Sequence, residues 1–444
     1  MTSLFFMAAG LTACSYAFGD NGFGGNGGAP SIDLEDADVE INNILLVSID
    51  TTRRDAFGRW GSRNDTDFID SLLDQAYVLE DHRSCANWTQ SSMACALTGQ
   101  STVDLQMEPQ SGDNKVSDLD EALRTVAVDF QTQGFDTAMV TTNPFIGRQY
   151  PLSNGYLSVE EEGDGAASWV LNTALNRLDT MLDGGDDFFL HVHYMDPHDP
   201  YLPEVGYRDG YQDLANVPYD MDTKEGQDQA VTDLERGNAR QEDLVLEHLL
   251  ERYWGEIRYM DDQFELFWEA LDERGVLEDT LVILMTDHGE QFMEHGAMEH
   301  NKSVHYGEVN ALAAFLHPAL TPDSWTGRTV HQDLMPTAMQ LMGVETDLEM
   351  TGKPVGNRNE TWSRYSFRYA TSTGAMATVD KGDKRLYYHF DGDKALYDVA
   401  DNPTEEGSGY NRQDEDLDAL WDAMNTLIDD VQDYAPHLRA NNTE

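Results

Sequence analysis

The sequence is poor in basic residues: 28 lysines and arginines stand against 82 aspartates and glutamates in 444 residues, so the formal net charge is −54. Proteins that bind nucleic acid draw much of their affinity from basic side chains that neutralise phosphates. We therefore expect no nucleic-acid partner. The acidic residues are spread along the chain, as on the surfaces of halophilic proteins. Added salt should stabilise such a fold, because it screens the repulsion between carboxylates.

Long apolar runs are also lacking, since no segment reaches the roughly 18 to 20 residues that cross a bilayer. Residues 4–11 form a shorter apolar stretch, and residues 11–14 (LTAC) resemble the signal of bacterial lipoproteins, with Cys14 as the lipidated residue. This resemblance implies export to the periplasm, outer membrane or cell surface, with a lipid anchor as the only membrane contact. The alternative is a frayed N-terminal segment with an incidental cysteine.

Cysteine is scarce, with three residues in the chain. Residues 1–14 are interpreted as the signal, and residues 15–40, rich first in glycine and then in acidic residues, as a linker. If Cys14 carries lipid, Cys85 and Cys95 remain, ten residues apart. An oxidising compartment would allow them to form a disulfide. Two separately buried thiols are the alternative.

Apolar runs of strand length alternate with helical periodicity over residues 41–342. Strands are predicted at 43–50, 136–142, 188–193 and 280–285, and helices at 119–133, 167–182 and 243–274. This alternation predicts an α/β fold with a large, mostly parallel sheet flanked by helices. Strands at 365–369, 375–379 and 385–390 and a helix at 417–431 predict a small α+β subdomain with an acidic tail over residues 343–444. The acidic segment 213–242 is interpreted as solvated loops.

Polar residues lie at the ends of three of the predicted strands, and His193 is at the end of the one at 188–193. Asp50 ends the first, and Asp287 and His288 follow the strand at 280–285. Ligands of parallel sheets bind at the carboxyl ends of strands, and oxygen with imidazole ligands suits Ca²⁺, Mn²⁺ or Zn²⁺. A single Asp there could instead cap a helix or a turn. The small-residue segment 88–99 is predicted to begin a helix, and its Thr89 is either a helix cap or a hydroxyl that a metal ion activates as a nucleophile.

Several ordered motifs then resemble one family. They are residues 43–55 (NILLVSIDTTRRD), 88–99, 191–203 (HVHYMDPHDPYLP) and 286–296 (TDHGEQFMEHG), then Lys302 before Tyr306, and 395–398 (ALYD) with Asn402 and Pro403. In this order they resemble a sulfatase-type member of the alkaline phosphatase superfamily over about residues 42–400.

The resemblance implies a role for each matching residue. It implies that Asp50, Asp287, His288 and Thr89 bind one divalent metal ion, Ca²⁺ by family and otherwise Mn²⁺ or Zn²⁺, and that Thr89 is also the nucleophile. It implies that His193, His198 and Lys302 hold an anionic ester and its leaving group, and that Arg53 steadies the nucleophile segment. Structural histidines and a surface lysine are the alternatives.

The chain departs from the family pattern at several positions, and these differences limit the reaction mechanisms that it can use. Sulfatases carry a cysteine or serine that is oxidised to formylglycine where this chain has Thr89, and Ser91 and Met93 replace the signature proline and arginine. Cys85 does not align with the cysteine of that signature. Thr51 stands where the family has a second carboxylate, which resembles threonine-using phosphoglycerol transferases.

The resemblance therefore implies a metal-dependent hydrolase of sulfate or phosphate esters that works without formylglycine. Its substrate would be a sulfated or phosphorylated glycan, lipid or small molecule. Two alternatives stay open: a phosphodiester transferase, and a catalytically inactive surface lipoprotein that binds glycans or anions.

Overall fold

The computed structural model describes residues 39–109, 117–163, 165–212, 214–356, 364–370, 374–407 and 416–435, with the single residues 32 and 414. The predicted signal, the predicted lipidation site Cys14 and nearly all of the predicted linker lie outside these residues. Within them, none of the helices combines the length and the apolar character needed to cross a bilayer.

Strands and helices alternate through most of the described chain. The strands are β1 (Asn43–Ile49), β2 (Tyr77–Arg83), β3 (Glu108–Pro109), β4 (Ser117–Asp118), β5 (Asp136–Thr141), β6 (Ser158–Glu161), β7 (Phe188–Tyr194), β8 (Thr280–Thr286), β9 (Gln291–Phe292), β10 (Met298–Glu299), β11 (Ala313–Leu316), β12 (Asp323–Val330), β13 (Arg364–Ala370), β14 (Gly374–Lys381), β15 (Lys384–His389) and β16 (Lys394–Asp398). The helices are α1 (Asp67–Leu73), α2 (Thr89–Thr98), α3 (Val126–Thr132), α4 (Ala167–Gly184), α5 (Asp209–Gln212), α6 (Lys224–Glu235), α7 (Glu242–Arg274), α8 (Tyr306–Val309), α9 (Leu334–Met342) and α10 (Leu417–Tyr434).

The main sheet has eight strands in the order β12-β2-β11-β8-β1-β7-β5-β6. Strand β11 runs antiparallel to β2 and β8, and every other neighbouring pair is parallel. Every residue of β1 is buried, as expected of a parallel strand covered by helices on both faces. The predicted α/β fold with a mostly parallel sheet is confirmed.

Side chains of β1 alternate between two hydrophobic cores. Leu45 and Val47 pack with residues of α4 and α7, whereas Ile44 and Leu46 pack with residues of α2, α3 and α9. This alternation follows from the two-residue period of a strand. Helices cover both faces of the sheet, and the carboxyl ends of its parallel strands lie together at one edge.

The C-terminal region is a separate antiparallel sheet in the order β13-β14-β15-β16. Helix α10 buries Leu420, Met424 and Ile428 in the same cluster as apolar residues of this sheet. The predicted small α+β region is thus confirmed. Its first strand also contacts the main sheet, because Arg364 forms an ion pair of 2.9 Å with Asp81 of β2, beside its 2.6 Å pair with Asp380 of the neighbouring β14.

Two predicted segments differ from the structure. The helix predicted at 119–133 spans only Val126–Thr132, because Asp120 forms a turn: its carbonyl accepts the Leu123 amide and its carboxylate accepts the Ala122 amide. Such local bonds compete with helix formation. The acidic segment 213–242 contains α6, which buries Ala230 and Leu234, so it is more than a solvated loop.

Candidate active site

Four adjacent strands deliver polar residues to one edge of the sheet. Asp50 and Asp287 directly follow β1 and β8, His193 lies near the end of β7, and Asn143 comes two residues after β5. These strands are neighbours in the order β8-β1-β7-β5. All four side chains are buried. The parallel topology therefore gathers residues that lie as far as 237 positions apart in sequence into one site.

Thr89 lies at the centre of this group as the first residue of α2. Its Oγ1 is 3.4 and 3.3 Å from the two carboxylate oxygens of Asp50 and 3.5 Å from Nε2 of His288. Asn143 donates to the same Oγ1 at 3.2 Å. The Thr89 hydroxyl is thus surrounded by a carboxylate, an imidazole and an amide, and it does not cap its own helix.

The buried carboxylates have opposite pKa shifts. Burial would raise the pKa of Asp50, but the hydrogen bond with His193 and the charges of His198 and His288 bring it below its usual value. Burial and the charge of Asp50 raise the pKa of Asp287 well above its usual value. Two carboxylates this close resist ionising together unless a cation lies between them.

Other atoms of the site also fit a cation. Oδ2 of Asp287 is buried and has no hydrogen-bond partner among the described residues, and it lies 3.6 Å from Nε2 of His288. Burial lowers the pKa of His288 to about 3, so its imidazole is neutral and can act as a ligand. Asp50, His193 and Asp287 place one ligand atom each within 4.8 Å of one another. Asp50 and Asp287, with the neutral imidazole of His288 beside them, fit a divalent metal ion, whereas both ring nitrogens of His193 already have hydrogen-bond partners.

Thr51 shapes the site through its backbone. Its φ angle of 48° lies in the left-handed region, which is unusual for a β-branched residue. The amide of Thr51 donates to Oδ1 of Asp287 at 3.0 Å, and its carbonyl accepts from the Tyr253 hydroxyl at 2.9 Å. The first of these bonds orients Asp287, and within the described part of the chain Oγ1 of Thr51 is buried without a hydrogen-bond partner.

His193 lies behind Asp50 in a chain of buried hydrogen bonds. Its Nε2 is 3.1 Å from Oδ2 of Asp50, and its Nδ1 is 2.7 Å from Oγ of Ser48. The same Oγ is 2.8 Å from Nε2 of His191, whose Nδ1 is 3.3 Å from the Tyr156 hydroxyl. His193 is fully buried, and Asp50 and Ser48 occupy its two ring nitrogens. The bond to Asp50 fixes the position of that carboxylate, and the role of His193 in holding the ester stays a prediction.

His198 occupies the opposite flank of the site. Its ring is 4.9 Å from that of His300, which lies 4.7 Å from the ring of His288. Burial would lower the pKa of His198, but the charges of Asp50 and Asp199 raise it above its usual value. His198 therefore lies near the candidate metal ligands, and its role in holding the ester stays a prediction.

Lys302 and Arg53 have other partners in the described residues. Nζ of Lys302 donates to Glu235 at 3.2 Å, and the side chain is about one third exposed. The Arg53 guanidinium forms bonds of 2.8 and 2.7 Å to Asp55, and it also contacts Glu294 and the Tyr306 hydroxyl. Neither side chain contacts Thr89, so the anion-binding and positioning roles stay predictions.

Cys85 and Cys95 are joined by a disulfide with an S–S distance of 2.01 Å. Cys85 precedes α2 and Cys95 lies within it, so the ten-residue loop between them contains Thr89. Ser91 and Met93, at the positions of the family's proline and arginine, are buried in the same helix.

Sequence reasoning did not identify Asn143, Ser48 or His300. Asn143 could have been found, because it follows a predicted strand as Asp50 and Asp287 do. Ser48 lies inside an apolar run, and His300 follows no strand of the main sheet, so neither had a signal in the sequence.

The chain belongs to the sulfatase family, whose model matches residues 42–344. An arylsulfatase of Clostridium perfringens is 25% identical over 262 residues, covering 55% of this chain and 53% of the relative. The chain thus matches about half the length of this relative. The predicted membership of the alkaline phosphatase superfamily is confirmed.

Two solved structures share the fold. A phosphonate monoester hydrolase of Agrobacterium radiobacter has a TM-score of 0.67 and 16% identity, covering 88% of this chain and 96% of that one. A protein in complex with its substrate D-glucosamine-2-N,6-O-disulfate has a TM-score of 0.67 and 15% identity, covering 91% of this chain and 100% of that one. At these identities the likeness concerns the fold.

Proposed function

We propose that this protein hydrolyses anionic sulfate or phosphate esters with Thr89 as the nucleophile. The observation that carries the proposal is the position of Thr89 Oγ1, which lies within 3.5 Å of Asp50, Asn143 and His288. A hydroxyl needs such activation, because it is a weak nucleophile at its ordinary pKa. Membership of the sulfatase family supports the same reaction class.

Each residue of the site has its own role in the proposed reaction. Thr89 Oγ1 gives its proton to solvent and attacks the phosphorus or sulfur atom, the bond to the leaving alcohol breaks, and the alcohol takes a proton from solvent. Water then attacks the ester formed on Thr89 and releases phosphate or sulfate. Asn143 and Asp50 hold the hydroxyl in place, and His198 brings positive charge to the ester oxygens.

Asp50, Asp287, His288 and Thr89 would hold the divalent metal ion. When bound, it would supply a Lewis acid that lowers the pKa of the attacking hydroxyl. The identity of the ion is part of the proposal, with Ca²⁺ favoured by family and Mn²⁺ and Zn²⁺ as alternatives.

Turnover of chromogenic sulfate, phosphomonoester and phosphodiester substrates by the purified chain tests this proposal. Thr89→Ala should lose at least about 100-fold in kcat, because nucleophile removal eliminates the covalent route. Thr98→Ala, at the far end of the same helix, is the matched control and should keep its activity. Wild-type turnover that persists in Thr89→Ala would refute the role of Thr89.

A second candidate is transfer of a phosphodiester group to an acceptor alcohol. Thr51, in place of a carboxylate, and Thr89 as nucleophile favour it, since both resemble the phosphoglycerol transferase pattern. Adding glycerol to the phosphodiester assay separates the two: a transferase forms a glycerol ester, whereas a hydrolase releases only the free acid. Binding of these substrates without any turnover would favour the inactive anion-binding protein.

We also propose that the protein is an exported lipoprotein anchored through Cys14, with a catalytic domain at residues 41–342 and a smaller subdomain at residues 343–444. The LTAC motif supports the anchor. Labelling of bacteria that express the gene with a fatty-acid analogue should mark the wild type and spare Cys14→Ala. Equal labelling of both would refute the anchor.

A further inference from the structure

We propose that a chain of four hydrogen bonds positions the Asp50 carboxylate for the reaction, and that every bond in it donates towards this carboxylate. Its members, here called the Asp50 chain, are in order Asp50, His193, Ser48, His191 and Tyr156. Successive contacts measure 3.1, 2.7, 2.8 and 3.3 Å. The last three members are thus positioning residues, a role that rests on the proposed function because it concerns that reaction.

The main sheet brings the Asp50 chain together on one face. Ser48 of β1 lies directly beside His193 of β7 in the parallel register. Because side chains on one face of a strand recur every two residues, Ser48 follows Leu46 on a face that packs into the hydrophobic core. Ser48, His191 and His193 are fully buried. A buried polar group costs free energy unless it is hydrogen-bonded, so each of these bonds is needed.

The direction of the bonds follows from the donors and acceptors at each position. A carboxylate that binds a metal ion is ionised and only accepts, so Nε2 of His193 donates to Asp50. With one proton on the ring, Nδ1 of His193 is an acceptor and takes the single hydroxyl proton of Ser48. The Ser48 oxygen can then only accept from His191, whose Nε2 must carry a proton.

The outer end of the Asp50 chain supplies its first donor. Burial lowers the pKa of His191 well below its usual value, so the ring carries one proton and its Nδ1 accepts. Burial raises the pKa of Tyr156 well above its usual value, so the phenol keeps the proton that it donates to Nδ1. The Tyr156 ring packs 5.4 Å from the ring of Phe189, which holds the hydroxyl in place.

The Asp50 chain matters for the reaction because Asp50 also contacts the nucleophile. Oδ2 of Asp50 accepts from His193 and, at 2.6 Å, from Asn143. Oδ1 lies 3.4 Å from Oγ1 of Thr89. If Ser48 were lost, His193 would keep one bond and could turn about its side-chain torsions. The carboxylate would then no longer be held at a fixed distance from Thr89.

Nuclear magnetic resonance of the purified full chain, labelled with ¹⁵N-histidine, tests the direction of the bonds without turnover. Long-range ¹H–¹⁵N spectra show which ring nitrogen carries the proton. His191 and His193 should each be protonated at Nε2 alone. The variants His191→Gln and His193→Gln identify the two rings among the 13 histidines. A proton on Nδ1 of either ring would reverse a bond and overturn the proposal.

Steady-state kinetics tests the positioning role with a matched pair of variants. His191→Leu removes the donor to Ser48, whereas His191→Gln has a similar volume and can donate from its amide. We expect kcat to fall about 10-fold in Ser48→Ala and His191→Leu and to stay within about 3-fold of wild type in His191→Gln. KM should change little, because these residues lie behind Asp50. Ser366→Ala, which removes a buried strand hydroxyl of the C-terminal sheet, is the control and should match wild type.

Each outcome has a definite meaning. An unchanged kcat in folded Ser48→Ala, or equal kcat in His191→Leu and His191→Gln, would overturn the positioning role. Circular dichroism checks folding, and the His191 pair decides if Ser48→Ala does not fold. Wild type without turnover would refute the proposed function, while the spectra would still decide the direction of the Asp50 chain. Thr89-dependent turnover with a proton on Nδ1 of His191 would do the reverse.

Discussion

The side-chain amide of Asn143 donates a 2.6 Å hydrogen bond to Oδ2 of Asp50. The side-chain oxygen Oδ1 of Asn143 accepts a hydrogen bond from the backbone amide of Phe145 at 2.8 Å. This bond fixes the orientation of the Asn143 side-chain amide. The same nitrogen lies 3.2 Å from Oγ1 of Thr89. Asn143 therefore links the Asp50 carboxylate, which follows β1, to the Thr89 hydroxyl of α2, and it is buried with both.

Asn143→Ala should reduce kcat by about 10- to 100-fold, the usual cost of losing a residue that orients a metal ligand. The reason is that Asp50 and Thr89 would no longer be held at a fixed separation. Steady-state kinetics measures the change. Asn172→Ala, at an exposed position of α4, serves as the control and should match wild type. Unchanged turnover in folded Asn143→Ala would show that Asp50 needs no such partner.

Replacing both Cys85 and Cys95 with serine should lower the free energy of unfolding by about 2–3 kcal/mol, since the disulfide closes a loop of ten residues. Urea unfolding with and without reductant measures this. The reductant should shift the wild-type midpoint and leave the double variant unchanged. Equal midpoints for wild type in both conditions would mean that the thiols are not paired in solution.

Raising NaCl from about 0.1 M to about 2 M should increase the melting temperature by several degrees, because screening reduces the repulsion of a chain with net charge −54. Differential scanning calorimetry measures it. Sucrose at matched water activity does not screen charge and should have a smaller effect. A melting temperature independent of salt would contradict the halophile-like interpretation.

The stability of the α1–α7 contact should depend on pH through Asp261. This residue of α7 accepts the amides of Phe68 at 3.1 Å and Ile69 at 2.8 Å, and burial raises its pKa to about 7. An acid whose pKa is raised by folding stabilises the fold when protonated. That contribution is present below the unfolded pKa of about 3.9 and is lost as the pH rises to about 7.

Asp261→Asn cannot ionise, so it should gain stability relative to wild type as the pH rises. We expect a gain of about 2–3 kcal/mol between pH 5 and pH 8, from the pKa difference across that window. Urea unfolding at each pH measures it. Glu265→Gln, at an exposed position of the same helix, corrects for the loss of one negative charge. A difference that is constant with pH would contradict the raised pKa.

Local patterns in the sequence determined much of the fold. Buried strands read as unbroken apolar runs, so β1, β5, β7 and β8 were predicted within one or two residues. Helices α4 and α7 followed from a 3.6-residue period. The start of α3 was predicted too early in the chain. The residues before Val126 include the turn at Asp120 and are therefore not helical.

The sequence by itself determined which residues end the strands, since Asp50 and Asp287 follow apolar runs and this requires no knowledge of distant contacts. Only the tertiary structure decided their partners. It placed Asn143 beside Asp50, His193 behind it and His300 against Glu290. These pairings depend on which strands are neighbours and on how loops cross the sheet edge. Those are long-range contacts, and local periodicity carries no information about them.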